Sequence, residues 1–146
     1  MKKVLLILCA VILSAGVVAG NQQEEERAVK RVINTAYIEG LQNMGDMDLV
    51  RKGFHPEFEM LINRNGKLSK LPIATWIENV EQRKQNPSSE NHQRIQGKFV
   101  QVDITGDAAM VKLEVYRGYK LLFTDYLTLY KMDGDWKIVG KTFHRH

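Results

Sequence analysis

The chain predicts an α+β fold, with helices packed on one face of a curved antiparallel sheet. A long early stretch carries apolar residues at helical spacing. From Asn91 onward, runs of β-branched, aromatic and leucine residues alternate with polar ones, and tight-turn dipeptides separate these runs. The resulting order is helix, helix, two strands, helix, then four long strands. Segregation of that kind distinguishes α+β from alternating βαβ architecture.

Residues 1–20 stand apart from the domain. Lys2 and Lys3 precede an apolar run from Val4 to Leu13, which ends in the small residues Val18-Ala19-Gly20. This is the pattern of a secretory signal, and the expected location is exported, periplasmic or secreted. The competing reading is a lipid anchor on Cys9, but Leu6-Ile7-Leu8 lacks the small residue expected beside a lipidated cysteine. With Lys2 and Lys3 removed, bases exceed acids by only two, so no nucleic-acid partner is expected. The lone cysteine leaves with the leader, which excludes disulfides, thiolate metal sites and cysteine nucleophiles from residues 21–146. Those residues read as a single domain with no membrane span and no internal repeat.

Within the domain, Val29, Val32, Ile33, Ala36, Tyr37, Gly40, Leu41 and Met44 recur on one face of a helix ending near Asn43. Gly45 breaks it, and Asp46 caps a short second helix that stops at Gly53. Phe54-His55-Pro56 opens an extended segment, and Asn65-Gly66 marks a type I′ hairpin into Lys67–Leu71. Pro72 starts a third helix with Ile73, Trp76, Ile77 and Val80 on its apolar face, followed by a loop at Asn86-Pro87-Ser88-Ser89 that is expected to be mobile. Strands follow at Arg94–Ile104 and Ala108–Arg117, with turns at Thr105-Gly106-Asp107 and Gly118.

The clearest element is the hairpin from Phe123 to His144, turning at Asp133-Gly134. By strict alternation Trp136, Ile138, Gly140, Thr142 and His144 share one face, and Lys137, Val139, Lys141 and Phe143 the other. In the first arm Leu127 and Leu129 oppose Tyr126, Thr128 and Tyr130.

The segments FHPEFEMLINRNGK and DYLTLYKMDGDWKIVGKTF, in this order of elements, resemble the nuclear transport factor 2-like superfamily. Within it the chain is most similar to the SnoaL-like, or lumazine-binding, group of bacterial secreted proteins. The resemblance runs from about Glu25 to His144. It implies a cone: a strongly bent antiparallel sheet, with a long N-terminal helix and two shorter helices packed on its concave face. It also implies a pocket between helices and sheet, and a homodimer through the sheet's other face. The superfamily holds ketosteroid isomerase, scytalone dehydratase and polyketide cyclases beside non-catalytic binding modules, so it leaves the chemistry open.

Ketosteroid isomerase acts through a tyrosine on its first helix, an aspartate base ending its first strand, and a protonated aspartate deeper in the sheet. Tyr37 matches the tyrosine. The base position falls at Leu61, Ile62 or Asn63, none of which can abstract a proton. Asp125 falls one residue out of register for the third role, which turns it to the opposite face. The reading is therefore a small-molecule-binding protein without demonstrated catalysis, needing no cofactor and holding no metal. Its ligand is small and apolar or aromatic, in a pocket lined by Tyr37, His55, Trp76, Tyr116 and His144.

For each of these the bland alternative is a core aromatic or a strand-edge histidine. The enzymatic alternative is a lyase, isomerase or cyclase using His55 with Tyr37, or Asp125 with His144. His55, Glu57 and Glu59, or His144 with His146, have metal-ligand character but read as solvated side chains. A third possibility is an accessory subunit of an envelope complex, docking through Val139, Phe143, Leu127 and Leu129.

Overall fold

The computed structural model describes residues 20–86 and 93–146. The signal segment through residue 19, Cys9 within it, and most of the Asn86–Ser89 loop therefore lie outside the described residues.

The first helix, α1, covers residues 20–42 and changes character along its length: residues 20–32 are α-helical and Ile33–Gln42 form a π-helix. At its end Asn43 N–H donates to the Ile38 carbonyl, five residues back. The wider turn rotates an extra side chain onto the buried side. Ile38, which the heptad-like spacing left off the apolar face, is buried, whereas Met44 is 40% exposed. Two short helices complete the layer, α2 (Met47–Gly53) and α3 (Ile73–Gln85). Asp46 caps α2 by accepting from Asp48 N–H at 2.8 Å. Gly53 ends it beneath α1, where an added Cβ would come within 2.3 Å of Ala36 Cβ. The absent side chain is what allows α1 and α2 to approach so closely.

Six strands form one strongly curved, unclosed sheet: β1 (Phe54–Arg64), β2 (Lys67–Pro72), β3 (Ile95–Thr105), β4 (Ala108–Arg117), β5 (Lys120–Met132) and β6 (Asp135–Arg145). Their order is β2-β1-β6-β5-β4-β3. The predicted hairpin turns are present, with positive φ at both Asn65-Gly66 and Asp133-Gly134, as type I′ geometry demands. One pairing departs from the antiparallel expectation: β1 lies parallel to β6. The intervening α3 and β2–β5 segments give the chain room for this long-range closure.

Inward side chains of β1, β4, β5 and β6 meet α1 and α3 to make one core, with Ile33, Tyr37, Phe58, Leu113, Leu127 and Ile138 fully enclosed. Both ends of α1 are fastened by polar ties. Asn43 donates to the Ile95 carbonyl and accepts from Ile95 N–H, so its amide mimics a strand neighbour of β3. At the other end Glu25 accepts from Lys131 Nζ at 2.6 Å and from Trp136 Nε1 at 2.8 Å.

These two donors hold the Glu25 carboxyl below its usual range. A depressed carboxyl contributes stability above its unfolded pKa, and that contribution is lost as pH falls through the lower folded value. Glu25→Gln should therefore melt below wild type at neutral pH, and the gap should close on acidification. Thermal midpoints of both proteins across the acidic range check this.

Candidate functional site

A β-bulge decides which side chains enter the cone. Thr128 pairs with Gly140 while Leu129 pairs with Ile138, so Val139 is the extra residue in β6. Strict alternation had set Lys141 and Phe143 opposite Trp136 and Ile138. The bulge instead brings all four to the concave side and turns Thr142 and His144 outward. Gly140 accommodates the kink: a Cβ there would meet Thr128 Oγ1 at 2.8 Å.

Asp125 also points inward, contrary to the register inferred by analogy. Its inward neighbours on β5 are Leu127 and Leu129, and its cross-strand partner is Phe143. Asp125 and Lys141 are the two buried charged residues among those described. Tyr37, fully enclosed on α1, donates its hydroxyl hydrogen to Asp125 Oδ2 at 2.5 Å, and Gln42 Nε2 donates to the Tyr37 oxygen at 3.0 Å. Lys141 Nζ stands 3.0 Å from Asp125 Oδ1 as its ion-pair partner and donates to Met60 Sδ at 3.9 Å, and among the described residues that oxygen has no other donor.

Aromatic rings surround the ammonium group. Nζ lies 4.7 Å from the Phe143 ring centre, 5.0 Å from Tyr37, 5.7 Å from Trp76 and 5.9 Å from Phe123. Such rings attract a cation through their quadrupoles. Desolvation works against it and prevails: burial lowers the Lys141 pKa even though the Asp125 charge pulls it back up. Burial likewise raises Asp125, against the pull of Lys141 and the Tyr37 hydrogen bond. Tyr37 is pushed well above its ordinary value by burial and by the neighbouring carboxyl. Nζ and Asp125 Oδ1 stand 3.0 Å apart and burial pushes each group toward its uncharged form, so proton transfer between them is the chemistry this arrangement makes accessible.

Of the residues named from sequence, Tyr37 and Trp76 sit in this cluster with Asp125, and their rings meet edge to face at 5.9 Å. His55 does not. It is half-buried at the start of β1, and its Nδ1 accepts from Glu57 N–H at 3.2 Å. Tyr116 donates to Glu114 on the outer face of β4, where Glu114 also pairs with Lys98. His144 pairs across the hairpin with Thr124 rather than Asp125, and its ring meets His146 at 4.8 Å. The Asp125–His144 and His55–Tyr37 pairs are thus not assembled. The proposed outer patch fails in part, since Leu127 and Leu129 are core and Phe143 faces inward. In its place the outer face exposes Met110, Tyr126 and Tyr130.

Sequence reasoning missed Lys141 and Gln42. A glycine in mid-strand, Gly140, was the available sign of the bulge that redirects Lys141. The structure also has open grooves. One of about 540 Å³ lies between α1, α2 and the β5–β6 turn, lined by Arg31, Lys52, Lys131 and Trp136. Another of about 520 Å³ lies between α2, α3 and β1, lined by Phe54, Ile73 and Ile77. Neither is lined by Tyr37, Asp125 or Lys141. Phe123 and Phe143, the half-buried members of the cluster, meet edge to face at 5.6 Å beside Lys141.

The family described as "Putative lumazine-binding" matches residues 24–144. Among curated proteins, aldolase FrzH of a Cladobotryum species is 30% identical over 118 residues, covering 79% of this chain and 89% of the aldolase. Among solved structures, an NTF2-like protein of Silicibacter pomeroyi DSS-3 superposes with TM-score 0.69 at 21% identity, covering 86% of this chain and 98% of that one. An NTF2-like protein of Shewanella baltica OS155 superposes with TM-score 0.67 at 23% identity, covering 84% and 94% respectively.

Proposed function

The chain belongs to the lumazine-binding family of NTF2-like proteins, and on that premise we propose that it binds a small molecule inside the cone, at Tyr37, Asp125 and Lys141. The observation that carries this reading is the buried lysine–carboxyl pair at the concave face. An ion pair withdrawn from water is seldom worth its desolvation, and apolar residues of the same volume would serve a purely structural core at least as well. Asp125 Oδ1 has only the Lys141 amine beside it, and its second lone pair can accept from a ligand hydroxyl. The aromatic surroundings suit a flat apolar body bearing one polar oxygen. Phe123 and Phe143 are the half-buried members of the cluster, so a ligand would enter past them. No residue here selects lumazine over other flat ligands.

Export through residues 1–20 and a homodimer formed through Met110, Tyr126 and Tyr130 belong to the same proposal. Cell fractionation and sedimentation test them. The main test is native mass spectrometry of protein purified from its own host. Wild type should carry a small-molecule mass that the double variant Asp125→Leu with Lys141→Met, which leaves no unpaired buried charge, loses while remaining folded. An adduct retained by that variant would place the ligand elsewhere.

A second reading, a lyase-type enzyme at the same site, is favoured by the 30% identity to an aldolase. Its proton-transfer groups would be Asp125, Tyr37 and Lys141, in place of the histidines.

A further inference from the structure

Lys141 is the one lysine buried among the described residues. Its amine stands 3.0 Å from an Asp125 carboxyl oxygen, makes a long hydrogen bond to the weakly accepting Met60 thioether at 3.9 Å, and faces a ring of aromatic side chains. Desolvation makes its neutral form more accessible than that of an exposed lysine. A shielded amine of this kind is a nucleophile toward carbonyl carbon. Ligand binding alone would not require it.

We propose that the ligand is an aldehyde or ketone on a flat apolar body, and that Lys141 Nζ condenses with its carbonyl to form an iminium. This rests on the cone interior being the binding site. The ammonium first gives one proton to Asp125 Oδ1. The freed lone pair attacks the carbonyl carbon, forming the C–N bond, and Asp125 returns its proton to the resulting alkoxide. Asp125 then takes a second proton from nitrogen and delivers it to the hydroxyl, which departs as water as the C=N bond forms. Nitrogen keeps its third proton, and the carboxylate is regenerated. Tyr37 holds Oδ2 throughout, which fixes the carboxyl plane so that Oδ1 stays toward Nζ. Phe123 and Phe143, closing behind the ligand, keep bulk water from hydrolysing the product.

The test uses benzaldehyde as probe on the full chain at neutral pH, with cyanoborohydride to reduce any iminium and peptide mapping to locate benzylated lysines. Lys141 should be labelled roughly tenfold or more above the exposed Lys120. The preference should vanish in urea, a control that needs no variant. Lys141→Met should lose the label on that peptide, and Lys137→Arg should keep it. A parallel melt with benzaldehyde and no reductant separates the two layers of the argument. A saturable rise in thermal midpoint without preferential labelling would overturn the iminium and leave interior binding standing. Neither rise nor preference would overturn both.

Discussion

Asp125→Ala should unfold at a much lower urea concentration than wild type, a loss of about 3–5 kcal/mol, because it strands Lys141 without its counter-charge inside the core. The Tyr37 hydroxyl loses its acceptor in the same step. The loss falls toward the lower figure at alkaline pH, since Lys141 can shed its proton. Its folded pKa is already depressed by burial, and removal of Asp125 takes away the main opposing pull. A lysine with a depressed folded pKa favours the native state above its unfolded pKa. That support is lost as pH falls through the folded value, so the variant's deficit should widen as pH drops. The double variant Asp125→Leu with Lys141→Met should recover most of the loss or exceed wild type, because no charge remains to desolvate. Urea curves at two pH values measure both effects. A single variant as stable as wild type at neutral pH would mean that the pair is solvated.

Trp76→Ala should cost about 3–5 kcal/mol, the range for removing a large buried aromatic. Trp76 is a hub: its ring lies 5.9 Å from Tyr37, 6.3 Å from Phe58 and 6.5 Å from Phe54, and so joins α3 to α1 and β1. Its loss also removes one wall around Lys141. Trp76→Phe should retain most of the stability, as it preserves an aromatic face of smaller area. Calorimetric midpoints for the two variants should therefore separate clearly. If they fell equally, a packing hub would be the wrong description of Trp76.

The legibility of this chain divides along a physical line. Local signals carried the architecture. Asn65-Gly66 and Asp133-Gly134 announce their turns because their φ values are positive, and Asp46 caps its helix through its own side chain. Tyr37 and Trp76 were legible because helical spacing sets their faces directly. The other half of the site depends on register, which is not local. A single extra residue at Val139 reverses every side chain after it, and so hid Lys141 and misplaced His144. Asp125 was misassigned for the same reason, because a register borrowed from a distant relative shifts faces with a one-residue error. Ile38 was missed because a π-helical turn departs from the period that the pattern assumes.

The most direct test of the whole account is the environment of the Lys141 side chain by heteronuclear NMR. The Lys141 Cε protons should be shifted upfield by the surrounding rings, with Overhauser contacts to Phe143, Tyr37 and Trp76. Contacts instead to outward-facing residues such as Tyr126, with random-coil Cε shifts, would show that β6 lacks the bulge. The buried Tyr37–Asp125–Lys141 site would then not exist.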